Sequence, residues 1–164
     1  MDNISEVNKK IQSAQKLLIG LGKNVSEETF PLLKQMLDGK DYFVVSMASD
    51  NTALESVFDS DHLTMPFVYV DDDTGWKKYL SWLENTLNRE LLVMEFEVSF
   101  ENPTVIRFPF EKTVFYNNKA FLVRVNERFY QLPEEISTKG IGFKTDTNSF
   151  LNDLFKDSVY AKIN

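Results

Sequence analysis

Few residues of this sequence have the type and spacing to do chemistry. Gly20-Leu21-Gly22 directly follows a short apolar run. Two glycines there let a backbone turn tightly and approach a phosphate seated on the next helix N-terminus. A full dinucleotide fingerprint needs a third small residue three positions on, where Val25 stands, and a plain strand-to-helix turn is the commoner use of such a pair. His62, the one histidine, lies in Asp59-Ser60-Asp61-His62-Leu63. A histidine base needs an orienting partner, and these neighbours read as a solvated loop between a helix and a strand. Asp71-Asp72-Asp73 offers oxygen ligands to a hard cation, but it lacks the spacing and bidentate Glu of a calcium loop, so it reads as a turn. Glu95 and Glu97 share one side of a strand if that strand continues so far. A carboxylate buried there is a proton-transfer candidate, although helix capping or exposure explains it as well.

Two aromatic groupings have a similar double reading. Trp76, Tyr79, Leu80, Leu83 and Leu87 trace one helical face, either core or a partner surface. Phe108-Pro109-Phe110, with Phe115 and Tyr116 nearby, makes either a pocket or interface, or core packing beside a broken helix.

The bulk composition mostly subtracts. The chain has 164 residues, 18 Lys plus Arg, 25 Asp plus Glu, a formal net charge of −7 and no cysteine. Without cysteine there is no disulfide, thiolate zinc site, iron–sulfur cluster or cysteine nucleophile. One histidine rules out a multi-histidine metal site within the chain. The acidic balance argues against a general nucleic-acid binder, which needs clustered Lys and Arg. No apolar run approaches the roughly 20 residues of a membrane span, and Met1-Asp2-Asn3-Ile4 lacks a basic start and apolar signal core. A cytoplasmic protein of one domain, residues 1–164, is expected, with no metal.

The elements that must position these residues follow from periodicity. Ile4, Val7, Ile11 and Ala14 predict a helix over about 3–15. Residues 16–20 then read as a buried strand stopped by Gly20. Ser26, followed by acids, opens a second helix with Phe30, Leu33, Met36 and Leu37 inside and Gly39 at its end. Further strands are expected at 42–45, 66–70, 90–96, 120–125 and 141–143, the one opening with Pro66 at a sheet edge. Helices are expected near 52–58, from Trp76, and from Asp146-Thr147 through Leu151, Leu154 and Phe155. Short, continuously apolar strands alternating with helices predict a doubly wound, mostly parallel α/β sheet of Rossmann-like type, with helices on both faces. Ligands of such sheets bind at the strands' carboxyl ends, which directs attention to the loops after Gly20, Val45 and Phe96.

Two stretches resemble the sirtuin family. Residues 40–50, Lys-Asp-Tyr-Phe-Val-Val-Ser-Met-Ala-Ser-Asp, with Phe58-Asp59, resemble the segment entering the strand before the family's Thr-Asn-x-Asp motif. Residues 92–103, Leu-Val-Met-Glu-Phe-Glu-Val-Ser-Phe-Glu-Asn-Pro, and Ile106-Arg107-Phe108-Pro109-Phe110 look like the late region of bacterial sirtuins linked to macrodomains and protein ADP-ribosylation. There, Glu-Leu-Gly-x-Gly-x-Asn-x-Pro leads into Ile-(Lys/Arg)-(Tyr/Phe)-Pro-Phe. Val125-Asn126 is similar to the Ile-Asn that ends a following strand near the cofactor's adenosine, and Pro133-Glu134-Glu135-Ile136 fits the late segment. Gly20-Leu21-Gly22 sits where the family has Gly-Ala-Gly. The likeness covers most of the chain in outline and is specific mainly from Leu92 to Ile136.

The resemblance implies an NAD-dependent deacylase or ADP-ribosyltransferase ancestry, and the departures imply its loss. Ala48 stands for the family's Asn, with only Asp50 kept. Phe67-Val68-Tyr69 falls at the catalytic position and can do no proton chemistry. The zinc module with its four cysteines is absent, the loop after Gly22 is short, and Glu97-Val98-Ser99 replaces the phosphate-binding Gly-x-Gly. A carboxylate in that place repels pyrophosphate. The leading expectation is a catalytically inactive sirtuin-like domain with no cofactor, no nucleic acid and no membrane, which binds or regulates through a protein partner or a homo-oligomer. A role kept for structure within an assembly differs only in partner. The rival is a protein that still holds NAD or ADP-ribose through Gly20, Gly22, Asp50 and Asn126, with or without residual transfer activity.

Overall fold

The computed structural model describes residues 2–163, with side chains through 157. In chain order it runs α1 (Asn3–Ser13), β1 (Lys16–Leu21), a 3-10 turn at Glu27–Thr29, α2 (Phe30–Leu37), β2 (Tyr42–Ser46), α3 (Thr52–Glu55) and β3 (Leu63–Thr64). α4 (Thr74–Glu84), β4 (Leu91–Phe96), α5 (Arg107–Tyr116), β5 (Ala120–Val125), a 3-10 turn at Glu134–Ile136, β6 (Gly140–Phe143) and α6 (Thr147–Ile163) follow. All six strands are parallel, in the order β3-β2-β1-β4-β5-β6. That is the doubly wound, Rossmann-like order, reversing direction between β1 and β4.

Parallel strands are covered on both faces, so they read as unbroken apolar runs. Leu17, Ile19 and Leu21 of β1 face Val7, Ile11, Leu33, Leu37, Leu151 and Leu154, which places α1, α2 and α6 on one side. Leu18, Phe43, Val93 and Leu122 face Tyr79, Phe110 and Val114, which places α4 and α5 on the other. Asp2 caps α1 by accepting from the Ser5 amide at 2.8 Å. Among the described residues no helix is long and apolar enough to cross a membrane.

Four local expectations change. Residues 66–70 are turn, not strand: the Val68 and Tyr69 amides both return to the Met65 carbonyl, and Val70 is 77% exposed. The edge strand is instead the two-residue β3 just upstream. α5 is unbroken, because Pro109 sits in its first turn, where a missing N–H costs no helical bond. Phe110 is buried there while Phe108, Phe115 and Tyr116 face solvent. The α4 stripe divides, with Tyr79 buried and Leu80 and Leu87 exposed. Finally, β4 stops at Phe96 and Glu97 turns into the left-handed region at φ 55°, so Glu95 and Glu97 do not share a side.

The α5-facing side carries charge near the carboxyl ends of its strands. Gly20, Glu95, Arg124 and Gly142 lie in one register row across β1, β4, β5 and β6. Glu95 and Arg124 are each 1% exposed and meet at 2.7 Å. Arg124 also reaches Glu111 of α5 at 2.8 Å and the Gln131 carbonyl at 3.1 Å. Arg107 stands 4.0 Å from Glu95 and donates to the carbonyls of Phe129 and Val98. Its guanidinium lies 4.2 Å over the Phe100 ring. Burial pushes the Glu95 carboxyl up against the pull of Arg124, and burial draws Arg107 down. Burial also opposes the Arg124 charge, but Glu95 and Glu111 outweigh it and hold that group above its ordinary value.

The flanking glycines let α5 and the segment around Tyr130 lie close against the sheet on either side of this cluster. A Cβ on Gly20 would come within 2.7 Å of Ile106 and Phe110, and one on Gly142 within 2.1 Å of the Tyr130 carbonyl. Removing one partner of such a pair strands a buried charge. Arg124→Met should therefore cost about 3–5 kcal/mol in urea unfolding, and Glu95→Gln added to it should recover part of the loss. A single-variant loss below about 1 kcal/mol would refute this role.

Candidate functional site

In an open parallel sheet the natural site is the crevice at the carboxyl ends of the strands where their order reverses. Here that point lies between Leu21 of β1 and Phe96 of β4. A cleft of about 220 Å³ opens there, lined by Gly22, Met47, Ser49, Phe67, Ser99 and Asn102. Lys23 and Glu101, both also on its wall, pair at 2.6 Å. Ligand pockets ordinarily measure some 300–1,000 Å³. A dinucleotide would need this one enlarged.

The four residues expected around a nucleotide go to four different tasks. Gly20 lies inside β1 beneath α5 rather than in the turn. Gly22 does line the cleft, but its bare side is pressed against the chain: a Cβ would sit 1.9 Å from the Glu97 carbonyl oxygen, and its amide donates to Phe96 at 2.9 Å. Asp50 is exposed and accepts from the Thr52 amide at 2.8 Å, a bond that holds its carboxyl below the usual range. Asn126 is engaged by the backbone through both amide atoms. Its Nδ2 donates to Val98 at 2.9 Å, and its Oδ1 accepts from the Arg128 and Phe129 amides, both at 3.0 Å. The structure therefore brings Gly22 alone of the four to the cleft wall.

The N-terminus of α6 is likewise engaged from within. Glu97 accepts from the Thr147 amide at 3.2 Å and from its hydroxyl at 2.5 Å. Asp146 accepts from the Ser149 amide at 2.8 Å and its hydroxyl at 3.0 Å, and the amide bond draws the carboxyl below its ordinary value. An exposed helix start is a ready anion site. This one holds two carboxylates of its own chain.

The remaining candidates are dispersed. His62 sits at the far edge of the sheet, bonded to Asp59 at 2.8 Å and stacked 4.7 Å from Tyr42. Asp72 accepts from the amide and hydroxyl of Thr74, and Asp73 pairs with Lys77. Among the described residues no three His, Cys, Asp or Glu side chains are gathered to hold a metal. The charged quartet of Glu95, Arg107, Glu111 and Arg124 escapes sequence reading as a cluster, although Glu95 is singled out there as a strand carboxylate. Its one trace is ionised residues inside apolar strands, Glu95 in Leu-Leu-Val-Met-Glu-Phe and Arg124 in Ala-Phe-Leu-Val-Arg-Val.

No family model matches the chain, and no curated protein matches its sequence. The crossing of Gly22 and Glu97 gives a direct check on how tightly the crevice is closed. Gly22→Ala must displace a backbone rather than a side chain tip, so it should lose about 1–3 kcal/mol of stability in thermal or urea melts. An unchanged melt would mean that the two segments separate easily.

Proposed function

We propose that this chain is a sirtuin-like α/β domain that has given up NAD chemistry and works by binding another protein. The observation that carries this reading is the use of the switch-point groups by the chain itself. Gly22 is covered by Glu97, both amide atoms of Asn126 are bonded to the backbone, and the α6 start is capped by Glu97 and Asp146. A protein-binding role draws support from the opposite face. Leu87 (62% exposed), Tyr116 (71% exposed) and Leu80 border a groove of about 520 Å³ between α4 and α5. Exposed apolar side chains gathered on one face mark interaction surfaces.

Nucleotide binding has one observation in its favour. Ser49 and Ser99 both stand on the cleft wall, where their hydroxyls suit a phosphate. Thermal shift with NAD, ADP-ribose, AMP and ATP separates the two readings, because any ligand of the native state raises the melting temperature by mass action. The expected result is no saturable rise with any of the four. A saturable rise with a micromolar midpoint would overturn the proposal and return Gly22 to cofactor binding.

A further inference from the structure

The acidity of this chain is confined to one part of it. Residues 41–76 hold eight Asp or Glu and not one Lys or Arg, whereas the whole chain nets −7, so everything outside that stretch sums to +1. The stretch runs from β2 through β3 to the first turn of α4, and so covers one edge of the sheet. At that edge lies a groove of about 670 Å³, between the chain around α3, the turn 66–70 and the start of α4. Its lining includes the buried Phe58, Leu63 and Met65 together with Pro66, Trp76 and the exposed Val70. Glu55, Asp59, Asp72 and Asp73 also line it, with Lys78 as the one base.

The chain's own cations leave much of this charge unanswered. Lys78 is paired with Asp61 at 3.0 Å, and Lys77 reaches Asp73 at 3.4 Å. Asp59 has only the His62 ring. Among the described residues no Lys or Arg lies within ion-pairing distance of Glu55 or Asp72. Glu55 takes the Tyr69 hydroxyl and the Asn51 amide, both neutral. Asp59 and Asp72 are tied into their own turns and Glu55 to Tyr69. Among the described residues no three carboxylates converge on a point, so the geometry suits several spread positive charges better than one metal ion. The apolar lining needs an apolar occupant.

We infer that this groove docks a cationic segment of another protein, one that inserts a Leu, Met or aromatic side chain between Phe58, Leu63 and Met65 and sets Lys or Arg against Glu55, Asp59 and Asp72. The inference rests on the protein-binding reading above, but places the contact in this groove rather than in the one between α4 and α5, and adds the partner's chemistry. Apolar burial supplies the anchor, and the acidic rim speeds encounter and rejects acidic sequences.

The probe is a short fluorescein-labelled peptide with a central Leu-Phe pair flanked by Lys and Arg. Polarisation should saturate, and amide shifts in a nitrogen–proton NMR spectrum should be confined to residues 55–78. Replacing Leu-Phe by Ser-Ser, or the bases by Glu, should each weaken binding about fivefold or more. The triple variant Glu55→Gln, Asp59→Asn, Asp72→Asn keeps the oxygens that accept local bonds and should weaken it about as much. Glu27→Gln, Glu127→Gln, Glu135→Gln makes the same change in net charge on other exposed positions and should leave it within about twofold.

Equal weakening by both triple variants would overturn the inference, as would equal binding of the Ser-Ser peptide or of spermine. So would shifts scattered over the surface, or no saturation. Those results leave the nucleotide test untouched, so loss of the groove and loss of the protein-binding reading are told apart. If the first triple variant unfolds, the peptide comparison and the shift map on the unaltered chain still decide.

Discussion

The ion pair between Glu95 and Arg124 governs the carboxyl half of this sheet. Two unit charges removed from water cost several kcal/mol each, and they are tolerated only with close partners and supporting hydrogen bonds. The surroundings supply close partners and most of the bonds, while Glu95 Oε1, Arg107 Nε and Arg124 Nε have no hydrogen-bond partner among the described residues. Glu111 comes down from α5, Arg107 approaches from the same helix, and the carbonyls of Val98, Phe129 and Gln131 turn inward to accept. Meeting those demands fixes where α5 begins, where the segment after β4 turns back, and where the chain between β5 and β6 crosses. Asn126 completes the arrangement by tying Val98 to the amides after β5. The loops that would form a binding crevice in this architecture are instead held together by the cluster beneath them.

The same logic appears at α6. A helix start offers unpaired N–H groups that some acceptor must satisfy. Glu97 and Asp146 satisfy them here, and Glu97 adopts a left-handed backbone, a conformation a non-glycine residue adopts only at a cost. The strain is held in place by the carboxylate's two bonds to Thr147 and by the β5 carbonyl that its amide reaches at 2.8 Å. The charge at this helix start is met by carboxylates of the chain itself.

Much of the architecture is legible in the sequence because a parallel sheet buries both faces of its strands, and runs such as Lys-Leu-Leu-Ile-Gly-Leu admit little else. The edge is less legible. Pro-Phe-Val-Tyr-Val has strand composition, but β-propensity reflects a half-buried pleated surface, and at 66–70 the side chains Phe67, Tyr69 and Val70 face solvent. Register is not legible at all. That Gly20, Glu95, Arg124 and Gly142 fall in one row depends on pairing across strands far apart in sequence. At the crevice, Gly22 is readable as a close approach, but whether a phosphate or a peptide group makes that approach is a tertiary fact.

The brevity of β3 has a consequence for self-association. An exposed strand edge presents a row of unpaired amides and carbonyls on which another chain can grow a sheet. Two residues, Leu63 and Thr64, give no ladder long enough for that, and Met65 at once spends its carbonyl on the turn that follows. The sheet is thus closed to extension on this side by shortness rather than by a covering element, and the surrounding carboxylates repel a second acidic edge of the same kind. At this edge, crowding favours separate molecules over fibres.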